Sequence, residues 1–389
     1  MNKKLVALAI GGLLAAPQVQ AQSATYVEGP RPGFYGTMFA ISPGAVVLYG
    51  RVHLSMEVVS GQQPNGTNPN QYRVSTNSSR FGLRGAESLG GGTNAIFQVE
   101  NSINPDASGG VLAGRDSYTG LQGSWGTFRV GRFHAPYDGI NDYWGSLTTA
   151  ETGILASAAL WAQGGQSKQN GGFDDRLANS VRYDSPEMSG FTAAIQYGAG
   201  GANNEGTPKT TSGVTSGNVT YTNGPLRLAA GFQTNNSFRA AGLNDLAWSV
   251  TGGWQFPGVY VGAVYEKLDY DVPVNATTKA NLTRNFWGLG ATANLGPGQL
   301  YVEYARAQDG KGSAPTGTRI GGLAKGPDTS ANQWEVSYTY PLSKRTYVYA
   351  GYIKIDNAKN ASYNFGVNGF TPAVGGKPGG AILGMMHNF

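Results

Sequence analysis

The chain has 389 residues, a length that ordinarily divides into two or three soluble domains of roughly 150 residues each. Its 60 Gly, 13% charged residues and zero Cys, beside 11% aromatics led by 21 Tyr, exclude an ordinary soluble composition, which carries about 25% charge and about 7% Gly. The 40% hydrophobic content excludes disorder, and a helical membrane span is excluded because no run of about 20 consecutive apolar residues exists. What remains is a β-rich chain full of turns.

In chain order, residues 1–21 read as a secretory signal. Asn2, Lys3 and Lys4 form a basic start, Leu5 to Ala16 an apolar stretch, and Val19-Gln20-Ala21 a small-residue cleavage site. Cleavage there removes Lys3 and Lys4 from the 28 basic residues and leaves 26 against 23 acidic ones, about +3. Cations so few and so scattered on an exported chain make no nucleic-acid footprint, so no nucleic-acid partner is expected. Without Cys there is no disulfide framework, and stability must come from backbone pairing and burial. Residues 22–45 form an N-terminal extension whose Pro30, Pro32 and Pro43 disfavour a central strand.

From residue 46 to residue 389 one rhythm holds: segments of about ten residues with alternating apolar and polar positions, bounded by Gly, Pro, Asn and Asp. In Val46 to Val59 one face reads Val46, Leu48, Gly50, Val52, Leu54, Met56, and the other Val47, Tyr49, Arg51, His53, Ser55, Glu57. The same split recurs at 226–233 and 333–340. Alternation also suits a soluble sandwich, whose polar face looks outward. Connection lengths separate the two. Short turns at 89–92, 124–126, 186–189, 223–225, 256–258, 296–298 and 341–345 interleave with longer polar loops at about 60–76, 102–114, 134–177, 200–214, 236–244, 271–282, 309–331 and 357–379. That predicts an all-β fold: a transmembrane antiparallel up-and-down β-barrel of about 16 strands, with short turns on one side and long loops on the other. Closure removes the two edges that an open sheet of this size would expose. The apolar faces hold no charge, as lipid contact demands when a midplane Arg or Lys costs roughly 2–4 kcal/mol. Tyr221, Trp254, Phe256, Tyr260, Tyr301, Tyr340 and Tyr347, near strand ends beside the short turns, are candidates for an aromatic girdle.

The third loop, residues 134–177, exceeds the usual loop length and carries Asp138, Asp142, Glu151, Asp174 and Asp175 with an apolar stretch from Ile154 to Ala162. A lumen of about sixteen strands is wide enough for an aqueous channel, and a loop folded into it narrows the passage. Phe81 and Leu83 facing lipid put Arg80 and Arg84 inside, with Arg51 inward on the first strand and Arg115, Arg129, Arg132 and Arg182 as further wall residues. Strict alternation cannot place Arg129 and Arg132 on one face, so a bulge must intervene if both line the pore. Arginines opposite carboxylates set up a transverse field that filters solutes by charge and dipole. The expected constriction is therefore Arg51, Arg80, Arg84, Arg115 and Arg132 against Asp138, Asp142 and Glu151.

Enzymatic readings find little. Three histidines, His53, His134 and His387, and no cysteine leave metal and nucleophile schemes without residues, so no cofactor or metal is expected. Asp309-Gly310-Lys311-Gly312-Ser313 lacks the spaced upstream Gly of a phosphate loop and reads as ordinary loop. A hydrolase using His53 or His134 as base is the enzyme alternative; a substrate-specific sugar or carboxylate channel is the binding alternative.

Particular stretches resemble the trimeric general porins of Gram-negative outer membranes, especially the β-proteobacterial type. They are Val47-Leu48-Tyr49-Gly50, Ser79-Arg80-Phe81-Gly82-Leu83-Arg84-Gly85 with Glu87, Ala95-Ile96-Phe97-Gln98-Val99-Glu100, Gly120-Leu121, Gly126-Thr127-Phe128, Gly131-Arg132, and Asn179-Ser180-Val181-Arg182-Tyr183-Asp184-Ser185-Pro186. The terminal Phe389, with His387 two residues before it, resembles the family's assembly signal. The resemblance implies a sixteen-stranded barrel, a homotrimer, a third loop folded into the lumen and passive diffusion of small hydrophilic solutes. It implies pore-wall roles for Arg80, Arg84, Arg115 and Arg132. Its implied partners are outer-membrane lipid and lipopolysaccharide, and the barrel-assembly machinery through Phe389. Arg51 and His53 depart from the family, which usually has an acid and an apolar residue there, and shift the wall toward positive charge.

Overall fold

Alternating side chains become sixteen antiparallel strands in the computed structural model, which describes residues 44–144, 153–199, 212–275, 277–370 and 373–389. The strands are β1 (Val46–Gln62), β2 (Asn70–Thr76 continued by Arg80–Gly90), β3 (Thr93–Ile103), β4 (Gly110–Val111 continued by Ser117–Gly123) and β5 (Gly126–His134). Then follow β6 (Arg176–Asp184), β7 (Phe191–Ala199), β8 (Gly213–Asn223), β9 (Leu226–Asn236), β10 (Asn244–Phe256) and β11 (Val259–Pro273). The last five are β12 (Lys279–Leu295), β13 (Gly298–Ala307), β14 (Ala331–Pro341), β15 (Thr346–Asn357) and β16 (Lys377–Asn388). Both pieces of β2 pair antiparallel with β1, around an interruption at 77–79 where Ser78 takes φ 59° and the Ser79 hydroxyl bonds the His53 backbone.

Each strand pairs with its sequence neighbours, and β16 returns to β1 in a register running from Arg51↔Asn388 to Gln62↔Lys377. No edge is left in the wall. The closing seam continues to the last residue: Phe389 exchanges two 3.0 Å backbone hydrogen bonds with Gly50, and its ring covers the Gly50 Cα so closely that a Cβ there would lie 2.4 Å from Cζ.

The faces divide as alternation demands. Val46, Leu48, Val52 and Met56 are exposed on the outside of β1, while Arg51, His53, Ser55 and Glu57 are buried on the inside. On β14, Trp334 and Val336 point out, and Gln333, Glu335, Ser337 and Thr339 point in. On these strands the apolar set is therefore the lipid-contacting skin. Two expected girdle residues belong to the other face: Tyr260 and Tyr301 are 1% and 0% exposed because their parity turns them inward, whereas Trp254 and Phe256 are 45% and 50% exposed. A second aromatic set, Trp248, Trp287 and Trp334, lies outside on β10, β12 and β14, farther from the short turns.

The third loop, L3, packs into the barrel. Its 3-10 turns at Asp138–Trp144, Ser157–Ala159 and Trp161–Gln163 bury Tyr137, Ile140, Trp144, Ile154, Leu155, Leu160 and Trp161 against inward residues of β9 to β16 such as Ala229, Val264, Leu268, Phe286, Ile353 and Ile382. Glycine lets the two surfaces meet. A Cβ at Gly262 would lie 2.6 Å from the Trp144 Cα, and one at Gly288 would lie 2.5 Å from the Trp144 ring. The loop after β13 carries a two-residue hairpin, Arg319–Ile320 with Leu323–Ala324, that packs on L3 from outside. The stretch 309–313 is loop, with Gly310 N donating to Thr329 Oγ1 at 2.9 Å and Thr329 N to Asp309 Oδ1 at 2.8 Å.

Candidate functional site

Inward parity on β1 to β6 gathers the arginines on one arc of the bore. Arg51 of β1 stands directly opposite Arg80 of β2, and Arg129 of β5 directly opposite Arg182 of β6. All four are buried, as is Arg115 in the turn before the second piece of β4. Like charges opposite each other across strands are destabilising, so the wall needs compensation, and it is supplied sparingly. Glu100 is shared by Arg115 at 2.6 Å and Arg80 at 3.5 Å; Asp184 by Arg129 at 2.5 Å and Arg182 at 2.6 Å; Asp116 by Arg176 at 2.6 Å and His134 at 3.2 Å. One carboxylate for two guanidiniums at Glu100 and at Asp184 leaves the arc electropositive. Arg84 lies 4.8 Å over the Tyr49 ring, and Arg129 5.0 Å over that of Tyr118, contacts that hold the guanidinium planes against the wall.

Arg132 pairs with Ser117 of β4, beside a register shift in which Gly131 pairs with Ser180 and Phe133 with Leu177, so that the extra residue lies on β6. The Arg132 Nε donates to the Gly114 carbonyl at 3.2 Å. Arg129 shares its face with Phe133, whose ring centroid lies 5.2 Å from its guanidinium, and the pairing of β5 with β4 runs through Arg132 without a break.

The acidic partners sit on L3. Asp138 lies 3.6 Å from His134 Nε2, at the root of the loop beside Asp174, and Asp142 is buried one turn further. Burial, then Asp174 and Asp142, push the Asp138 carboxyl well above its ordinary value. Asp138 is thus clustered with His134, Asp174 and Asp142 at the loop's own root. Glu151 lies outside the described residues.

A buried anchor that sequence reasoning did not single out fixes L3 to the far wall. Glu266 of β11 pairs with Arg284 of β12, and both side chains are 0% exposed. Glu266 Oε1 also accepts from the Tyr137 hydroxyl and the Ala162 N–H, each at 2.7 Å, while Arg284 Nη1 donates to the Leu160 carbonyl at 2.7 Å. Tyr137 stacks on Trp161 with centroids 5.0 Å apart. The available signal was one charge at an otherwise uncharged inward face on each of two consecutive strands, Glu266 and Arg284. Among the described residues no group of three or more metal-ligating side chains occurs.

A closed strand wall with a largely apolar skin and an ion-lined bore narrowed by its own loop defines a transmembrane channel barrel. A family model described as Gram-negative porin matches residues 5–360, and the chain belongs to that family. It is 29% identical over 325 residues to an outer membrane porin protein of Bordetella pertussis, covering 75% of this chain and 82% of that one. Its fold is similar to that of an anion-selective porin from Comamonas acidovorans, with a TM-score of 0.69 at 23% identity over 89% of this chain and 99% of that one. It is likewise similar to the trimer form of OmpT of Vibrio cholerae, with a TM-score of 0.63 at 16% identity over 89% and 100%. The chain is an outer-membrane porin.

Proposed function

We propose that this porin is a general diffusion channel for small hydrophilic solutes and ions with a weak preference for anions. The observation that carries the reading is the two directly opposed arginine pairs, Arg51↔Arg80 and Arg129↔Arg182, on an arc where Glu100 and Asp184 each serve two guanidiniums. A wall so arranged raises the local concentration of anions and lowers that of cations. The filter on this reading is Arg51, Arg80, Arg84, Arg115 and Arg132, with Asp138, Asp142 and Glu151 of L3 supplying the opposite sign. The anion selectivity of the Comamonas relative agrees with it.

The test is a reversal potential in reconstituted bilayers under a salt gradient. A sign corresponding to anion preference is expected, reduced in R51Q/R80Q; clear cation preference overturns the reading. A substrate-specific channel would instead show saturable current block by a sugar or carboxylate. The hydrolase alternative requires an activity lost on replacing His53 or His134. Its geometry is unfavourable, since His53 Nε2 is buried against the Tyr349 hydroxyl at 2.7 Å and His134 is held between Asp116 and Asp138.

Residues 1–21 act, on this reading, as an export signal removed in the mature protein, and 22–45 as an extension preceding the barrel. The assembly is a homotrimer, as for the Vibrio relative, and Phe389 addresses the barrel-assembly machinery. The outer skin contacts membrane lipid and lipopolysaccharide.

A further inference from the structure

The lipid-facing side of β10 to β15 carries an arrangement that the pore does not use. Trp248, Trp287 and Trp334 stand in direct register with a cation on the next strand: Lys267, Arg306 and Lys354. On each of those strands, the tyrosine two residues nearer the short turns packs against the same tryptophan. The ring centroids are 5.6 Å apart for Trp248 and Tyr265, 5.6 Å for Trp287 and Tyr304, and 5.4 Å for Trp334 and Tyr352, all tilted. One unit of Trp, Tyr and cation therefore occurs three times, on β11, β13 and β15.

The three units share one height. Lys267, Arg306 and Lys354 each lie eight residues along from Val259, Gly298 and Thr346, the first residues of their strands on the short-turn side. At about 3.4 Å per residue and a tilt near 40°, that is about 20 Å up a lipid-facing band about 25 Å tall, the level of the outer-leaflet headgroups. Two strand spacings separate consecutive units, about 10 Å, too far for three cations to converge on one phosphate. The charges nearby are mixed but favour the cations. Lys354 and Lys377 share Asp356 at 2.9 and 3.9 Å, Asp269 follows Lys267 on the same face, and Arg306 Nη1 donates to the neutral Asn332 at 2.8 Å. Interfacial preference alone would place aromatics and snorkelling cations at this level, but it does not require the same register and ring contact three times.

We propose that this row is a docking surface for a multiply phosphorylated glycolipid of the outer leaflet. The cations engage separate phosphates, and the Trp and Tyr rings lie against the sugars and the upper acyl chains. The proposal deepens the lipopolysaccharide contact proposed above and is independent of pore selectivity.

The experiment measures retention of bisphosphorylated and dephosphorylated lipid A on the folded full chain by native mass spectrometry. Parental protein is expected to retain the bisphosphorylated form preferentially, and K267Q/R306Q/K354Q to retain it about tenfold or more weakly, since each interfacial cation contributes about 1 kcal/mol. Conductance should be unchanged, because the three residues face away from the bore. Unchanged retention in the triple variant overturns the site while leaving lipopolysaccharide contact standing; no retention by the parental protein overturns both. Equal retention of the dephosphorylated form overturns the phosphate chemistry. K311Q/K325Q, cations elsewhere on an outer loop, should retain lipid A as the parent does, and an equal loss there overturns the proposal. R306Q alone, whose folding heat-modifiable mobility can verify, should weaken retention, and R306K should restore it; failure of either has the same meaning.

Discussion

Asp138 is a carboxyl held where ionisation is unfavourable, buried and beside Asp174 and Asp142 at the root of L3. Its raised value in the folded state gives a signed consequence. The folded chain binds the proton more tightly than the unfolded chain, so the group's contribution is full below the ordinary value of 3.8 and is lost as pH rises through the folded value. Asp138→Asn is therefore expected to raise the unfolding temperature at pH 7, with the gain vanishing below about pH 4 as both side chains become neutral. Melting the variant and the parent across that range, by loss of heat-modifiable mobility, checks it; an equal difference at all pH values would sink the argument. The same residue scale explains why the arginine arc is stable at all: Arg129 and Arg182 face each other and tolerate it because Asp184 bonds both.

L3 is an element without regular strand or helix pairing, so its place depends on a few buried contacts. Glu266 and Arg284 hold it by the Tyr137 hydroxyl, the Ala162 N–H and the Leu160 carbonyl, in surroundings without solvent. Breaking a buried ion pair by neutralising one partner costs about 3–5 kcal/mol, because the other charge stays buried. Glu266→Gln should therefore loosen L3 while the strand wall, paired along its whole length, stays closed. The expected readout is a rise in single-channel conductance and its noise with unchanged heat-modifiable mobility. A variant with parental conductance would show that the aromatic contacts of Trp144 and Trp161 suffice.

At the scale of the whole molecule, the barrel is closed by one seam, β1 with β16, and the chain's last residue completes it. Phe389 exchanges backbone hydrogen bonds with Gly50 and seats its ring where any larger residue would clash. Deleting Phe389 is expected to lower the yield of folded barrel, and Gly50→Leu to do the same by evicting the ring. Refolding yields compared in detergent, free of any assembly machinery, separate this packing effect from recognition by a partner. Full yield for both variants would leave recognition as the sole role of Phe389.

The sequence by itself determined the strand number, the order of turns and loops and the two faces of each strand. Alternation has a period of two and a charge in lipid is costly, so local pattern fixes parity. It determined that Arg51, Arg80 and Arg84 face inward for the same reason. It could not determine which charges meet. Arg132 meets the Gly114 carbonyl, Asp138 meets His134 and Asp174 at the loop's root, and Tyr260 and Tyr301 serve the inner face although their type and position suited a girdle. Those outcomes, like the Glu266–Arg284 anchor under L3, depend on strand register and on a forty-residue loop finding its seat. Both are set by contacts between residues far apart in sequence, which only closure of the barrel brings together.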